Sequence, residues 1–237
     1  FEKALIPGKP QAELVAPGHP LLDSLVDVIL ERFQPLLSEG TALVDDADAG
    51  TEPRLLVYLE HAVRDGRSAR RGEPRVVSQR LQFLYLAEDG TATEAGPAPY
   101  LDFRPATPEE RAAVDEAVSA PWLSGLVEER ALTYAIERLV PQHLAEVRTR
   151  RLPEIDKVER EVRARLMRER DYWDARAARL REEERAGKVQ RLNARNAEAL
   201  AEKMVERLHR RQAELDTERR ISALPPQLKG AVLVIPA

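Results

Sequence analysis

The chain contains no cysteine, and aromatic residues make up only 5% of its 237 residues. Without cysteine there is no disulfide, no thiolate metal ligand and no cysteine nucleophile. No apolar run approaches the roughly 18–20 residues that cross a bilayer, and Phe1–Pro10 lacks the basic flank of a signal peptide. We therefore expect a cytoplasmic protein without membrane contact, and the missing initiator methionine predicts that its native N-terminus lies upstream.

The sequence motifs of common active sites are missing as well. There is no phosphate-binding loop of the form GxxxxGK[ST] and no HExxH motif. Asp115-Glu116-Ala117-Val118 has the letters of a DEAx box, but it lies inside an amphipathic helical pattern and is interpreted as a solvated face. The histidines are scattered, with no i, i+4 pair that would favour a metal site; they are His19, His61, His143 and His209. We expect no catalytic, cofactor-binding or metal-binding residue.

Charge is abundant and unevenly distributed. Charged residues make up 33% of the chain, with a net charge of −4. Residues 1–110 hold 11 basic against 19 acidic residues, whereas residues 111–237 hold 26 against 22. The positive excess of the second half permits contact with nucleic acid or with an acidic protein but requires neither.

The first half alternates between helical and strand periodicity. The apolar positions of Leu21–Phe33 fall on one helical face, and Pro20 suits the first turn of that helix. Two long runs rich in Val, Leu and Tyr, separated by polar turn residues, predict an antiparallel pair of strands. The predicted strands are Thr41–Val44, Arg54–Val63, Arg75–Leu86 and, as an edge strand between prolines, Pro97–Pro105.

Helical patterns then dominate. A helix from Thr107-Pro108 to Ser119, with Thr107 as its cap, and a second over Trp122–Val140 are predicted. From Leu144 to Arg220 the chain holds 22 basic and 17 acidic residues, with apolar residues at heptad-like spacing. Gly187 fits a tight turn between two antiparallel helices, and Pro153 predicts a new segment or a kink in the first.

The last segment returns to a strand pattern. Leu228–Pro236 ends in an apolar run that needs strand partners on both sides, which only the sheet of residues 41–104 can supply. The predicted fold is therefore α+β, with a small, mainly antiparallel sheet, flanking helices and an inserted antiparallel coiled-coil hairpin. The body spans residues 1–141 and is completed by residues 228–236, and the charged arm spans residues 142–222.

Arginine clusters are the only candidate binding residues. One interpretation is that the arginines pair with glutamates one helical turn away, as in Glu159–Arg163. The other is that unpaired arginines bind phosphate groups, although no aromatic residues are interleaved for base stacking. The candidates for phosphate binding are Arg148, Arg150 and Arg151 on the arm and Arg67, Arg70 and Arg71 on the tip between the two long strands.

The order of these elements resembles the C-terminal portion of bacterial Swi/Snf-type helicases, the RapA/HepA-like and helicase-related proteins. The motifs that carry the resemblance are structural, and they cover most of the chain. They are Pro17–Leu22, Leu56–Gly66, Val76–Phe83, Pro99–Pro105 and Leu228–Pro236, with the charged hairpin before the last.

The resemblance implies a parent ATP-dependent translocase whose two upstream lobes bind ATP and Mg²⁺. It gives this chain no catalytic residue and no cofactor of its own. The implied partners are those upstream lobes and either DNA or a protein such as RNA polymerase.

We therefore expect a non-catalytic accessory domain that contacts nucleic acid or a partner protein. A structural or oligomerisation module, in which the arginines only solubilise the coiled coil, is the alternative hypothesis. A third hypothesis, a small-molecule enzyme on the α+β body, requires a deep pocket with perturbed carboxylates.

Overall fold

The chain folds into a mostly antiparallel sheet beside one very long helix. The computed structural model describes residues 3–4, 12–13, 15–39, 41–69, 72–187 and 192–237. Its strands are β1 Lys3–Ala4, β2 Ala12–Glu13, β3 Ala42–Asp45, β4 Arg54–Ser68, β5 Pro74–Leu86, β6 Ala92–Glu94, β7 Arg104–Pro105, β8 Ser222–Ala223 and β9 Gln227–Pro236. Its α-helices are α1 Pro20–Glu39, α2 Arg111–Val118, α3 Val127–Tyr134, α4 Val140–Arg185 and α5 Leu192–Glu218.

The main sheet has seven strands, six of them in the order β6-β5-β4-β9-β3-β7, with β8 paired to β4. β4 and β5 form a long antiparallel pair from Leu55 opposite Leu86 to Ser68 opposite Pro74, as predicted. β9 lies between β4 and β3, antiparallel to the first and parallel to the second. The C-terminal strand therefore has the two neighbours that its apolar sequence requires.

One face of β4 packs against the long helix. The odd-numbered residues from Leu55 to Val63 point to the same side of the strand. Along the helix, every fourth residue is buried and faces that side of the strand. These helix residues are Ala131, Ala135, Leu139, His143 and Val147. Strand alternation and helix spacing thus meet in one buried seam.

The long helix is continuous across a proline at which the sequence predicts an end. α3, a π-helical turn at Ala135–Leu139 and α4 follow one another without a break over 59 residues. The predicted helix end at Val140 is wrong, because the helix continues through Pro141, which directly follows the π turn. A π turn changes the hydrogen-bond register of a helix, and proline lacks the N–H that an α-helical register would use. The wide π turn also offsets the drift of about 40° that an α-helix accumulates over four residues.

Pro153 lies inside α4, where the sequence predicts a new segment or a kink, and the helix does not restart there. Its ring would clash with the carbonyl four residues earlier in an ideal helix, at a cost of about 3 kcal/mol. Buried contacts on both sides hold this stretch, with Val147 before the proline and Ile155 after it. Tertiary packing therefore outweighs the local preference.

α5 packs along α4 through apolar contacts and ion pairs. Leu166 of α4 and Met204 and Leu208 of α5 form a buried cluster. Arg219 binds Asp156 and Glu159, each at 2.6 Å, while Arg181 pairs with Glu198 farther along. These pairings mean that the two helices run antiparallel. Their connection at residues 188–191 lies outside the described residues, so the inserted hairpin itself stays a prediction.

Two local predictions need correction. Of the edge strand predicted at Pro97–Pro105, only Arg104 and Pro105 pair with β3, because Pro99–Asp102 forms a 3₁₀ turn. The helix predicted from Thr107 begins at Arg111, and Thr107 is not its cap. Instead, the Glu110 carboxylate accepts the Thr107 N–H at 2.7 Å and two hydrogen bonds from Arg104. The Arg104 hydrogen bonds lower the pKa of Glu110 to about 2.

Helix α1 forms over Pro20–Glu39, longer than the predicted Leu21–Phe33. Its apolar residues remain largely exposed among the described parts of the chain. They include Leu21, Leu25, Val28, Ile29 and Phe33. The helix is therefore amphipathic, but its apolar face is not part of the core.

The seam between β4 and the long helix predicts a sharp contrast between two leucines. Leu59 is 0% exposed, whereas Leu101 is 75% exposed. We expect Leu59→Ala to lower the free energy of unfolding by about 2–5 kcal/mol because it leaves a cavity. Leu101→Ala, the matched control, should change it by less than about 0.5 kcal/mol. Urea unfolding measures both, and equal losses would contradict the location of the core.

Candidate functional site

The arginine group of α4 and Arg67, the described member of the tip group, lie at the same end of the sheet. Val147 of α4 and Val63 of β4 belong to one buried cluster with Ile221, and Leu144 and Leu152 pack against it. The stretch of α4 that carries Arg148, Arg150 and Arg151 therefore lies against the strand end that leads to Arg67. About 80 residues of sequence separate these two groups, and only the packing of α4 on β4 brings them to one region.

The three arginines of α4 have different roles. Arg148 donates a hydrogen bond to the Ile221 carbonyl at 2.8 Å, which ties the helix to the segment before β8. Arg151 pairs with Glu154 at 3.0 Å. Arg150 is exposed and forms no ion pair within the described ranges. Of these three, Arg150 therefore has the guanidinium that is free of both a hydrogen bond and an ion pair among the described residues.

Arg67 is held by two buried carboxylates. Asp65 accepts its backbone N–H and its Nε–H, both at 2.9 Å, and Glu218 pairs with it at 3.0 Å. Burial raises the pKa of Asp65, but the hydrogen bonds from Arg67 outweigh burial and hold that pKa below its ordinary value. The other two predicted residues of this tip, Arg70 and Arg71, lie outside the described residues.

A cleft of about 410 Å³ opens between the tip of the β4–β5 pair and the end of α5. Its walls include Arg64, Arg67, Arg220 and Ser222. Gly66 is required at this point, because a Cβ there would lie 2.5 Å from the Thr217 carbonyl oxygen and 3.0 Å from Cβ of Arg220. The glycine thus lets the end of α5 approach β4 closely.

Arg64 and Arg220 bring positive charge into this cleft without a carboxylate partner among the described residues. Arg64 donates from Nε to the Ser222 Oγ at 3.1 Å, which leaves its terminal N–H groups available. Arg220 is exposed, and its side chain lies against Gly66. Arg220 is absent from the candidates that the sequence suggests. The signal that could have indicated it was the pair Arg219-Arg220 at the end of a helix that returns to the sheet.

The structure also brings together two histidines that the sequence separates. His61 of β4 and His143 of α4 are buried, and their Nδ1 atoms lie 3.1 Å apart. Gln82 Oε1 lies 2.5 Å from His61 Nε2, and Ser78 Oγ lies 2.7 Å from His143 Nε2. With both rings neutral, Ser78 donates to His143, His143 to His61, and His61 to Gln82. Every ring nitrogen therefore has a partner.

This chain of hydrogen bonds is suited to a neutral pair. Burial, together with the nearby charge of Arg80 and the neighbouring His61, lowers the pKa of His143 to about 4. Within the described ranges, no three histidine, aspartate or glutamate side chains are grouped so that they could hold a metal ion. The histidine pair is a polar part of the seam between β4 and α4, and it contributes to the stability of that seam.

No protein-family model matches the chain, and no curated protein matches it in sequence. Among the described helices, none combines the length and the hydropathy that a bilayer-spanning segment needs.

The histidine pair predicts how stability depends on pH. The folded state keeps His143 neutral down to about pH 4, whereas the unfolded chain takes up a proton near pH 6.5. Because the unfolded state then binds more protons, stability should fall as the pH drops, by at most about 1.4 kcal/mol per pH unit. Urea unfolding between roughly pH 7 and pH 5, above the range of most carboxylates, measures this slope.

His143→Gln removes the titrating group and should flatten that slope. His209→Gln is the matched control, because His209 is exposed on α5. An unchanged slope in His143→Gln would assign the pH dependence to other groups.

Proposed function

We propose that this chain is a C-terminal accessory region of a bacterial Swi/Snf-type, ATP-dependent DNA translocase and that it contacts nucleic-acid phosphates. The motifs that carry the resemblance support this proposal through their positions. Leu56–Gly66 lies in β4, Val76–Phe83 lies in β5, and Leu228–Pro236 lies in β9. The resemblance therefore follows adjacent strands of the sheet rather than isolated loops.

The observation that carries the phosphate-binding proposal is the presence of three unpaired arginines at one end of the sheet. Arg64 and Arg220 line the cleft at the tip, and Arg150 lies on the part of α4 that packs beside it. All three lack a carboxylate partner among the described side chains. Clustered guanidinium groups of this kind attract phosphate electrostatically and bind it in a bidentate geometry.

The outer parts of the two long helices favour the other interpretation of their arginines. Arg165 pairs with Glu169, Arg170 with Asp174, and Arg181 with Glu198. The first two pairs lie within α4, and the third joins α4 to α5. The proposal therefore restricts phosphate binding to the sheet end. In this proposal, residues 142–222 form one inserted hairpin that serves as a lever or spacer. Residues 1–141 and 228–236 form the docking body.

The parent protein supplies the chemistry. ATP and Mg²⁺ belong to upstream lobes, against which this body docks, and the chain itself contributes no catalytic group to hydrolysis. An ATPase assay on the isolated chain, with and without DNA, tests this division of labour. Robust ATP turnover by the isolated chain would overturn it.

The exposed apolar side of α1 favours a second candidate function, a structural or oligomerisation module. Leu25, Ile29 and Phe33 would pair with a second copy, or with a partner protein, in that case. Light scattering that finds a stable dimer, together with no DNA binding at low salt, would favour this candidate over the first.

The first candidate predicts strongly salt-dependent binding to duplex DNA. A surface with several phosphate contacts should lose about 10³-fold or more in affinity between 50 and 200 mM salt. The double variant Arg64→Gln, Arg150→Gln should bind more weakly at every sequence. Each lost contact should reduce the salt slope by about 1. Fluorescence anisotropy over a salt series measures both quantities.

Arg163→Gln provides the matched control. Arg163 is exposed on α4 and unpaired among the described residues, and it lies 13 residues beyond Arg150, roughly 20 Å along the helix. Its removal should leave the salt slope unchanged. Equal effects of the control and the double variant would mean that the sheet end is not the contact surface.

A further inference from the structure

Among the described residues, the cleft at the tip of the β4–β5 pair is lined by more arginines than carboxylates. Its charged walls are Arg64, Asp65, Arg67 and Arg220. Asp65 and Arg67 bind each other and cancel. Two guanidinium groups, those of Arg64 and Arg220, remain without a carboxylate partner among the described residues. The described part of the cleft therefore presents these two guanidinium groups to an entering ligand.

The acidic groups around the cleft are turned away from a ligand. Asp65 is only 3% exposed and accepts two hydrogen bonds from Arg67. Glu218 is also buried and pairs with Arg67 at 3.0 Å and with Arg211 at 3.3 Å. Because both carboxylates are already paired with arginine, an entering anion does not meet an unpaired negative charge.

The guanidinium of Arg64 and the side chain of Arg220 are also positioned in advance. The hydrogen bond from Arg64 Nε to Ser222 Oγ orients one guanidinium. The stem of Arg220 lies against Gly66, where a Cβ would come within 3.3 Å of its Cδ. Arg64 and Ser222 are opposite each other in the β4–β8 pairing. A fixed guanidinium loses little side-chain entropy when it binds an oxyanion bidentately.

Charge and size together select the ligand class. A phosphate monoester carries about −1.5 to −2 at pH 7, which matches two guanidinium groups. An internal phosphate of a nucleic-acid backbone carries only one negative charge. The volume of about 410 Å³ lies in the range of small-ligand sites. That volume has room for one nucleotide or for the end of a strand.

We infer that this cleft binds a terminal phosphate monoester, supplied by the 5′-phosphorylated end of a nucleic-acid strand. That the phosphate belongs to a nucleic acid rests on the proposed function. The arrangement of arginines in the cleft does not depend on the proposed function. Arg64 and Arg220 bind the phosphate oxygens, and Gly66 and Ser222 position these two arginines.

The test compares one fluorescent single-stranded oligonucleotide with a 5′-phosphate or a 5′-hydroxyl, using the full chain at fixed salt. The phosphorylated strand should bind about tenfold more tightly, because its terminal phosphate accepts charge-assisted hydrogen bonds from two arginines. The double variant Arg64→Gln, Arg220→Gln should lose this preference. It should bind the two strands equally, and both more weakly than the unmodified chain binds the 5′-hydroxyl strand, because Arg64 also contributes to general phosphate binding. Arg150→Gln should weaken both strands alike and keep the preference. Unchanged circular dichroism and melting temperature exclude misfolding.

Competition identifies the source of the phosphate group. Inorganic phosphate and a nucleoside 5′-monophosphate should displace the phosphorylated strand only at concentrations far above those of the strand itself. Displacement at equal concentration would assign the cleft to a free nucleotide or phosphate and overturn the nucleic-acid source. A phosphoserine peptide that binds more tightly than the strand would overturn it as well.

The outcomes separate this inference from the proposed function. Equal affinity for the two strands would overturn the inference, and DNA binding would stand. If the unmodified chain binds neither strand and does not bind duplex DNA, the proposed function is overturned. If the chain in that case still binds a nucleoside monophosphate through Arg64 and Arg220, the cleft is a phosphate-binding site without a nucleic-acid ligand.

Discussion

The packing of one face of β4 against the long helix is the contact on which the rest of the structure depends. From Leu55 to Val63, every second residue of the strand faces a helix stripe that recurs every fourth residue. The π turn at Ala135–Leu139 keeps that stripe directed at the strand. Where the seam reaches Val63 and Val147, it fixes the position of α4 relative to the tip of the β4–β5 pair.

The second requirement is the return of the chain to the middle of the sheet. β9 separates β4 from β3, so without it the sheet would divide into two parts. The two long helices precede β9 in the chain, and the strand that joins β4 to β3 therefore comes from beyond both of them. That return draws the end of α5 across Gly66 and places Arg220 and Ser222 in the cleft wall. The cleft thus forms only when the sheet is complete, and no local sequence motif encodes it.

This dependence explains what the sequence could and could not predict. Alternating and apolar runs identified β4, β5 and β9, because a strand's pattern is local. The predicted end at Val140 failed because proline was weighed without the π turn and the packing that accommodate it. His61 and His143 are 82 residues apart, and Arg64 and Ser222 are 158 apart. No periodicity in either segment encodes such pairs, so the buried histidines and the role of Arg220 became visible only in three dimensions.

Paired and unpaired arginines have different roles in the two long, charged helices. Exposed ion pairs contribute only about 0–1 kcal/mol each, so the pairs along α4 and α5 act as a group that sets alignment and solubility. Arg219, bound to Asp156 and Glu159, belongs to this group, and the same ion pairs raise its pKa further above the ordinary value. Its neighbour Arg220 is directed at the cleft instead. Two adjacent arginines therefore have different roles: Arg219 joins the two helices, and Arg220 presents its charge to the cleft. This change of role occurs where α5 meets the sheet.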